Sequence, residues 1–421
     1  MNKAVLRSTV DKSWHAFLLH VTWRRHRTLP EMTNTLKMVI LVLLVAVLLG
    51  LIAVMPLQSG DLGRRDLLAY WSAAYVLVHG GDPYDRVTQD RVSRAVEPER
   101  DRFGLEWNPP WNPPWLLLAL APLALLPFDA AVRVWLLLHM LLIGALALLT
   151  WHCLTRQPPV PVWLVVLALG FGGSLTALAV GQIVILVLLG LVLCAAWLQS
   201  GQDGWAGAAL LLTLSKPQLV YLVVPTLLVW AAVHRRWRVW IGLSAALTAS
   251  LVGVTLLSPG WLNGYAHLTG GYDFFRHSAA TVGGLAAVYL GTDVLRFLGI
   301  PALLLLPALV RLIDRRDLFT GINAALLISL PLAPYGWSFD QIMLLPAIVQ
   351  IGFWLGQTDY RRRFYTIILI AIYIVLFVMK LLGIGDFLFV WVSVALGGLY
   401  AAVYAVRYRQ MAATLTGEAS R

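Results

Sequence analysis

Residues 36–57 read LKMVILVLLVAVLLGLIAVMPL, and no charge falls between Lys37 and Asp61. At about 20 apolar residues per crossing, this run is long enough to span a bilayer. The rest of the chain repeats the pattern. Of 421 residues, 59% are hydrophobic and 13% charged, with a mean hydropathy of +0.76, whereas soluble domains carry about 25% charge. The composition predicts an all-α integral membrane protein, a polytopic helical bundle of about 12 transmembrane helices. Runs such as LLLALAPLALL at 116–126 lack the alternation of a membrane β-barrel.

The net charge of +11 is no nucleic-acid signature, because Lys and Arg gather in short runs between apolar segments. Those runs are the N-terminal 37 residues; Arg235, Arg236 and Arg238; Arg311, Arg315 and Arg316; Arg361 to Arg363; and Arg407 with Arg409. Placing them all in the cytoplasm makes the C-terminal runs 239–257, 300–313, 318–333, 341–357, 364–382 and 387–406 cross alternately. Between 113 and 233, five crossings fit: 113–127, 130–151, 162–179, 182–199 and 204–233. The last is interrupted at Lys216-Pro217 and reads as a broken helix or a re-entrant pair. Residues 1–35 form a basic cytoplasmic segment, 36–406 the membrane domain, and 407–421 a cytoplasmic tail. Within the first segment, residues 11–23 read equally as a helix on the inner membrane surface and as a basic tail. Cys153 and Cys194 have no metal-ligand spacing and read as small core residues.

Parity gathers the polar loops 57–112, 258–283 and 334–340 on the extracytoplasmic face of a cell membrane, where nucleotide sugars are absent. Loop 57–112 opens with DLGRRDLLAYWSAAYVLVHGGDPYD, residues 61–85. Leu67, Tyr70, Trp71, Ala74 and Val78 share a helical face, which predicts an amphipathic helix on the membrane. Asp66 stands at its start, where the helix dipole favours a carboxylate. It reads equally as an ordinary N-terminal charge beside Arg64 or Arg65 and as a working group, with Asp61 as its rival. Gly80 to Asp85 read as a turn. WNPPWNPPW at 107–115 supplies Trp107 and Trp111, suited to the interfacial belt or to stacking on a sugar.

Lys216, within the apolar stretch 204–233 and followed by Gln218, is a functional candidate, because an intramembrane charge is costly without a partner or cavity. Gln182 reads first as a helix–helix hydrogen bond. Segment 265–277 brings His267, Asp273, Arg276 and His277, with Arg suited to a phosphate and no specific metal spacing. APYGWSFD at 333–340 adds Tyr335, Trp337 and Asp340.

These pieces, DLLAYWSAA, GGDPYD, NPPW, Gly181-Gln182, Ser215 to Gln218 and Tyr335-x-Trp337-Ser338, resemble in order the glycosyltransferase 87 family over roughly residues 60–345. Its best-known kind is the polyprenyl-phosphate-mannose-dependent α-mannosyltransferase. The resemblance implies a GT-C fold and a donor sugar carried on polyprenyl phosphate, with no cofactor and no metal. It implies a glycolipid or glycan acceptor, inversion at the sugar, and Asp66 as the catalytic Asp of the first loop. Lys216, Arg276, His277 and His267 are expected at the donor phosphate. Asp61, Tyr70, Trp107, Trp111, Gln182, Gln218, Tyr335, Trp337 and Asp340 are expected around the substrate. The chain departs from many relatives in carrying Phe339 and Asp340 where they have His after the Trp-Ser turn. A transporter of lipid-linked saccharides is the competing class; such proteins often show two related halves, and no internal repeat is visible.

Overall fold

A computed structural model describes residues 62–103, 110–156, 161, 163–270, 279–357 and 362–416. The first apolar run, and with it Asp61, Trp107, Asp273, Arg276 and His277, lies outside them. Among the described residues all regular structure is helical, as lipid requires of chains whose backbone groups find no water. Six helices among the described residues are long and apolar enough to cross a membrane, or seven with the bent pair below counted as one.

In chain order, the helices are α1 (Leu67–Val78), α2 (Arg86–Val96), α3 (Pro114–Ala124), α4 (Phe128–Thr155), α5 (Trp163–Gly170) and α6 (Gly172–Val180). There follow α7 (Val184–Gln199), α8 (Asp203–Thr213), α9 (Pro217–Val220), α10 (Val223–Val233), α11 (Trp237–Leu257), α12 (Trp261–Gly270) and α13 (Val282–Leu290). The set closes with α14 (Val294–Arg315), α15 (Leu318–Leu332), α16 (Ser338–Gln357), α17 (Arg362–Leu381) and α18 (Val390–Thr416). α14 and α16 each open with 3-10 turns. α5 and α6 meet at a 60° bend, where Phe171 is extended and interrupts the helix.

Polar contacts sort the helix termini into two ends. At one, Arg64 bonds Asp129 at 2.7 Å, the Gly63 and Asp66 amides donate to the Ala179 and Val180 carbonyls, and Lys216 meets Asp340. At the other, Arg236 bonds Asp203 and the Leu198 carbonyl, and the Trp230 indole donates to Asp314 at 2.8 Å.

This arrangement corrects two expected crossings. Residues 113–127 supply a helix too short to cross by itself. α3 has 11 residues, about 16 Å at 1.5 Å per residue, short of the roughly 30 Å hydrocarbon core. Asn112 at its start bonds the Ser215 carbonyl, and the Leu123 carbonyl at its close accepts from Trp71. Residues 204–233 double back instead of running straight across. α8 and α10 start and finish beside the Asp203–Arg236 pair, with Lys216 at the apex. Pro217 causes the break: it donates no backbone hydrogen bond and pushes Lys216 out of helical geometry, to φ −135° and ψ 72°. The re-entrant alternative is therefore the observed one. With these two changes Gln182 and Asp129 come to the end that holds Asp66.

The first loop also differs in detail. α1, expected on the membrane surface with one face to water, is buried on nearly every side. The amphipathic helix of the loop is α2, capped by the Asp85 carboxylate on the Thr88 amide at 2.8 Å. The 80–85 turn forms as expected, with Gly80 at φ +77° and Asp82 accepting from the Tyr84 amide.

Glycines bring α8 and α11 into backbone contact, the usual way helices approach closely in lipid. A Cβ on Gly207 would lie 1.9 Å from the Val239 carbonyl oxygen, while one on Gly204 would meet nothing within 4 Å. Gly207→Ala should therefore lower the thermal unfolding midpoint of the detergent-solubilised protein by several degrees. Gly204→Ala should leave it unchanged or raise it; equal midpoints for both variants would contradict this packing.

Candidate active site

The site is built on a backbone contact. Gly63 and Gly181 both adopt left-handed φ, +74° and +73°, which side chains other than glycine resist. A Cβ on Gly181 would sit 2.1 Å from the Gly63 oxygen. Segment 63–66 thus lies directly on the end of α6, and Asp66 is set against Gln182. The Trp135 indole donates to the Gly181 carbonyl at 3.2 Å and steadies the other side of the turn.

Gln182 is nearly fully buried, and its side-chain oxygen accepts two hydrogen bonds. Its Nε2 donates to Asp66 Oδ2 at 2.7 Å, and its Oε1 accepts from the Tyr70 hydroxyl and the Ile183 amide, each at 2.9 Å. This fixes the amide orientation and aims one N–H at the carboxylate. Gln182, read first as a helix–helix hydrogen bond, instead positions an acid. Asp66 is half-buried and densely surrounded, yet part of its surface stays open. Burial lifts its pKa from 3.8 to about 6, against the opposing pull of Arg65, Lys216 and the Gln182 hydrogen bond. Burial also holds the Tyr70 hydroxyl protonated.

Arg64 does not pair with Asp66. It binds Glu97 at 2.6 Å and Asp129 at 2.7 Å, with its guanidinium over the Phe128 ring. Of the two arginines expected beside Asp66, Arg64 is engaged elsewhere, while the Arg65 charge still acts on it. The Asp66 side chain makes no capping bond to α1.

Lys216 and Asp340, picked out separately in the sequence, form one buried ion pair at 2.7 Å. The ammonium also lies 4.7 Å from the Phe339 ring centre. Asp340 Oδ2 accepts the Trp337 amide at 3.0 Å and so shapes the turn at 335–340. Both charges act on Asp66, so one constellation contains Asp66, Tyr70, Gln182, Lys216 and Asp340. Tyr335 borders it: the Asp340 charge reaches its hydroxyl, which burial pushes up to about 12. Trp337 stacks on Phe339 at 5.7 Å.

The remaining described candidates have other surroundings. His267 is exposed on α12, while Tyr265 of the same helix turns toward Tyr84 at 4.9 Å between ring centres. Trp111 packs in a small apolar cluster with Tyr84 and Trp261. Gln218 is half-buried on α9.

Three residues outside the expected set join the site. Asp386 accepts from the Ser338 amide at 3.0 Å and from its hydroxyl at 2.5 Å. Lys380 donates to the same hydroxyl and lies 3.6 Å from Asp386. Lys380 is the lone Lys in the apolar run 364–382. That is the signal that singled out Lys216, and it was present here too.

A family model described as glycosyltransferase family 87 matches residues 111–335. The chain belongs to glycosyltransferase family 87. No curated protein and no solved structure matches it. The matched residues include Asn112, Gln182, Lys216 and Tyr335; Asp66 and Asp340 lie outside that range and enter the site through geometry. Membership of family 87 makes the protein a glycosyltransferase. Among the constellation's residues, Asp66 combines an open surface with a raised pKa.

Removing one partner of a buried ion pair strands the other charge, at a cost of about 3–5 kcal/mol. Lys216→Met should destabilise the folded protein by that order, and Asp340→Asn added to it should restore part of the loss. Thermal unfolding of the single and double variants measures the coupling; purely additive losses would refute the pair as an energetic unit.

Proposed function

We propose that the protein transfers mannose, or another hexose or pentose, from polyprenyl phosphate to a hydroxyl of a glycolipid or glycan acceptor. The observation that carries this reading is Asp66, held through Oδ2 by Gln182 with Oδ1 left for the acceptor. Oδ1 takes the acceptor hydroxyl proton as the oxygen attacks the anomeric carbon. The carbon–phosphate oxygen bond breaks on the opposite face, polyprenyl phosphate leaves, and the sugar inverts. Positive charge from Lys216 stabilises the leaving phosphate in the transition state, and Arg276, His277 and His267 are the further cations proposed for that role. The scheme calls on no cofactor or metal, since the donor already carries its leaving group.

Sidedness follows from charge. Arg236, Arg316 and Arg407 lie at the end away from Asp66, with Asp314, Asp203 and Phe353 as neighbours. The positive-inside rule puts that end in the cytoplasm, so the site opens to the outside, where a lipid-linked donor is the available kind. Membrane lipid is the medium for donor and acceptor alike.

The test is transfer by protein in lipid nanodiscs, supplied with a panel of polyprenyl-phosphate sugars and membrane glycolipid. Asp66→Asn should cut turnover about 10²–10⁴-fold while folding normally. A base must be ionised, so the wild-type rate should climb as pH rises through about 6 and level off above it. Near wild-type turnover in Asp66→Asn would end this assignment. Binding of lipid-linked saccharide without transfer from any donor would favour the transporter reading.

The same raised pKa carries a sign for stability. Folding favours protonated Asp66, a contribution present at low pH and lost as pH rises through about 6. At pH 8, Asp66→Asn should therefore unfold at the same temperature as wild type or higher; a clear drop would mean that the charge is needed for the fold.

A further inference from the structure

The end opposite Asp66 holds two arginines that rest on aromatic rings with no carboxylate ion pair among the described residues. Arg64, Arg236 and Arg296 each bond a carboxylate, those of Glu97, Asp203 and Asp293. Arg316 and Arg407 rest on aromatic rings instead. The Arg316 guanidinium lies 4.3 Å from the Tyr408 ring centre and 5.8 Å from that of Tyr404. Arg407 lies 5.6 Å from both Phe353 and Trp354. Both charges reach Tyr404, which stands between them.

The nearby acid is Asp317, and its oxygens are already engaged: Oδ1 with the Thr320 amide at 2.8 Å, Oδ2 with the Thr320 hydroxyl at 2.7 Å. It caps α15, its charge reaches Arg407, and among the described residues it makes no ion pair with either guanidinium. An aromatic face holds a guanidinium in place while its fork of donors, matched to phosphate oxygens, stays outward. Arg311, Arg315 and Arg409 add charge of the same sign around the pair, and all three are exposed.

We infer that Arg316 and Arg407 form an anion site at the end away from Asp66, taking the phosphate of an anionic lipid headgroup or a soluble phosphate ester. The inference does not rest on the proposed transfer reaction. Arg407, Tyr404 and Tyr408 also lie beyond the residues matched by the family model. A lipid phosphate meets this pair at the level where tyrosines and arginines favour the membrane interface.

The test uses the full-length protein in a neutral detergent containing phosphatidylcholine, titrated with phosphatidylglycerol or with inorganic phosphate, and read as the shift in thermal midpoint. The variants are Arg316→Gln, Arg316→Gln/Arg407→Gln and, as a control at the same end, the exposed Arg235→Gln. Phosphatidylglycerol should stabilise wild type and Arg235→Gln alike. Its apparent Kd should rise about tenfold in Arg316→Gln and further in the double variant. The same pattern with inorganic phosphate alone would keep the site and make its ligand a soluble ester. A phosphatidylglycerol shift unchanged in Arg316→Gln, a loss equal in Arg235→Gln, or no shift with either probe would overturn the inference. Should the double variant not fold, Arg316→Gln decides, because Arg316 is exposed and its loss leaves no buried gap.

Discussion

The site depends on a contact between two stretches of backbone. Gly63 and Gly181 touch where neither has room for a side chain, and both hold a φ that other residues resist. From that contact Asp66 inherits its position, Gln182 its orientation, and α1 its entry into the bundle. Hydrogen bonds from Gly63 and Asp66 to the end of α6 mean that the carboxylate is carried by main chain rather than by a mobile loop. A catalytic group needs such a mount, since a displacement of about 1 Å can cost roughly 10²-fold in rate.

Electrostatics in a low-dielectric interior explains the rest of the arrangement. An ammonium without a partner is expensive there, and the two lysines that break the apolar runs are both tied to the short region around 338–340. Lys216 reaches Asp340, and Lys380 reaches Ser338 and Asp386. The turn is thus fastened from two helices that are distant in sequence. Asp66 sits near these charges without pairing with either, which leaves burial as the dominant influence on its acidity. A carboxylate bound tightly to a cation would make a poor base.

Much of this was legible in the sequence, for particular reasons. Hydropathy is a local quantity, so the apolar runs and the break at Lys216-Pro217 could be read directly. Lys216 and Gln182 stood out because polar residues amid apolar neighbours are costly and therefore informative, Asp66 through the family motif it matches, and Asp340 through its place in the polar turn 333–340. What a run's length does not encode is which end its termini visit. Residues 113–127 and 204–233 have the composition of single crossings, yet one forms a helix too short to cross by itself and the other doubles back. Pairings were hidden for the same reason: Asp66 and Gln182 are separated by 116 positions, Lys216 and Asp340 by 124. Asp386 gave no local signal, since its role is set by Ser338, which arrives from another helix.

The doubled-back pair α8–α10 has a consequence for how the chain is made. Lys216 leaves the ribosome 124 residues before Asp340, an interval on the order of ten seconds at about 5–20 residues per second. During it the ammonium has no route to its carboxylate, and neither 11-residue arm is long enough to be threaded across lipid alone. The carboxylate that closes the apex of the α8–α10 hairpin is thus made only with the second half of the protein, and the hairpin's polar tip is completed by residues that reach it late.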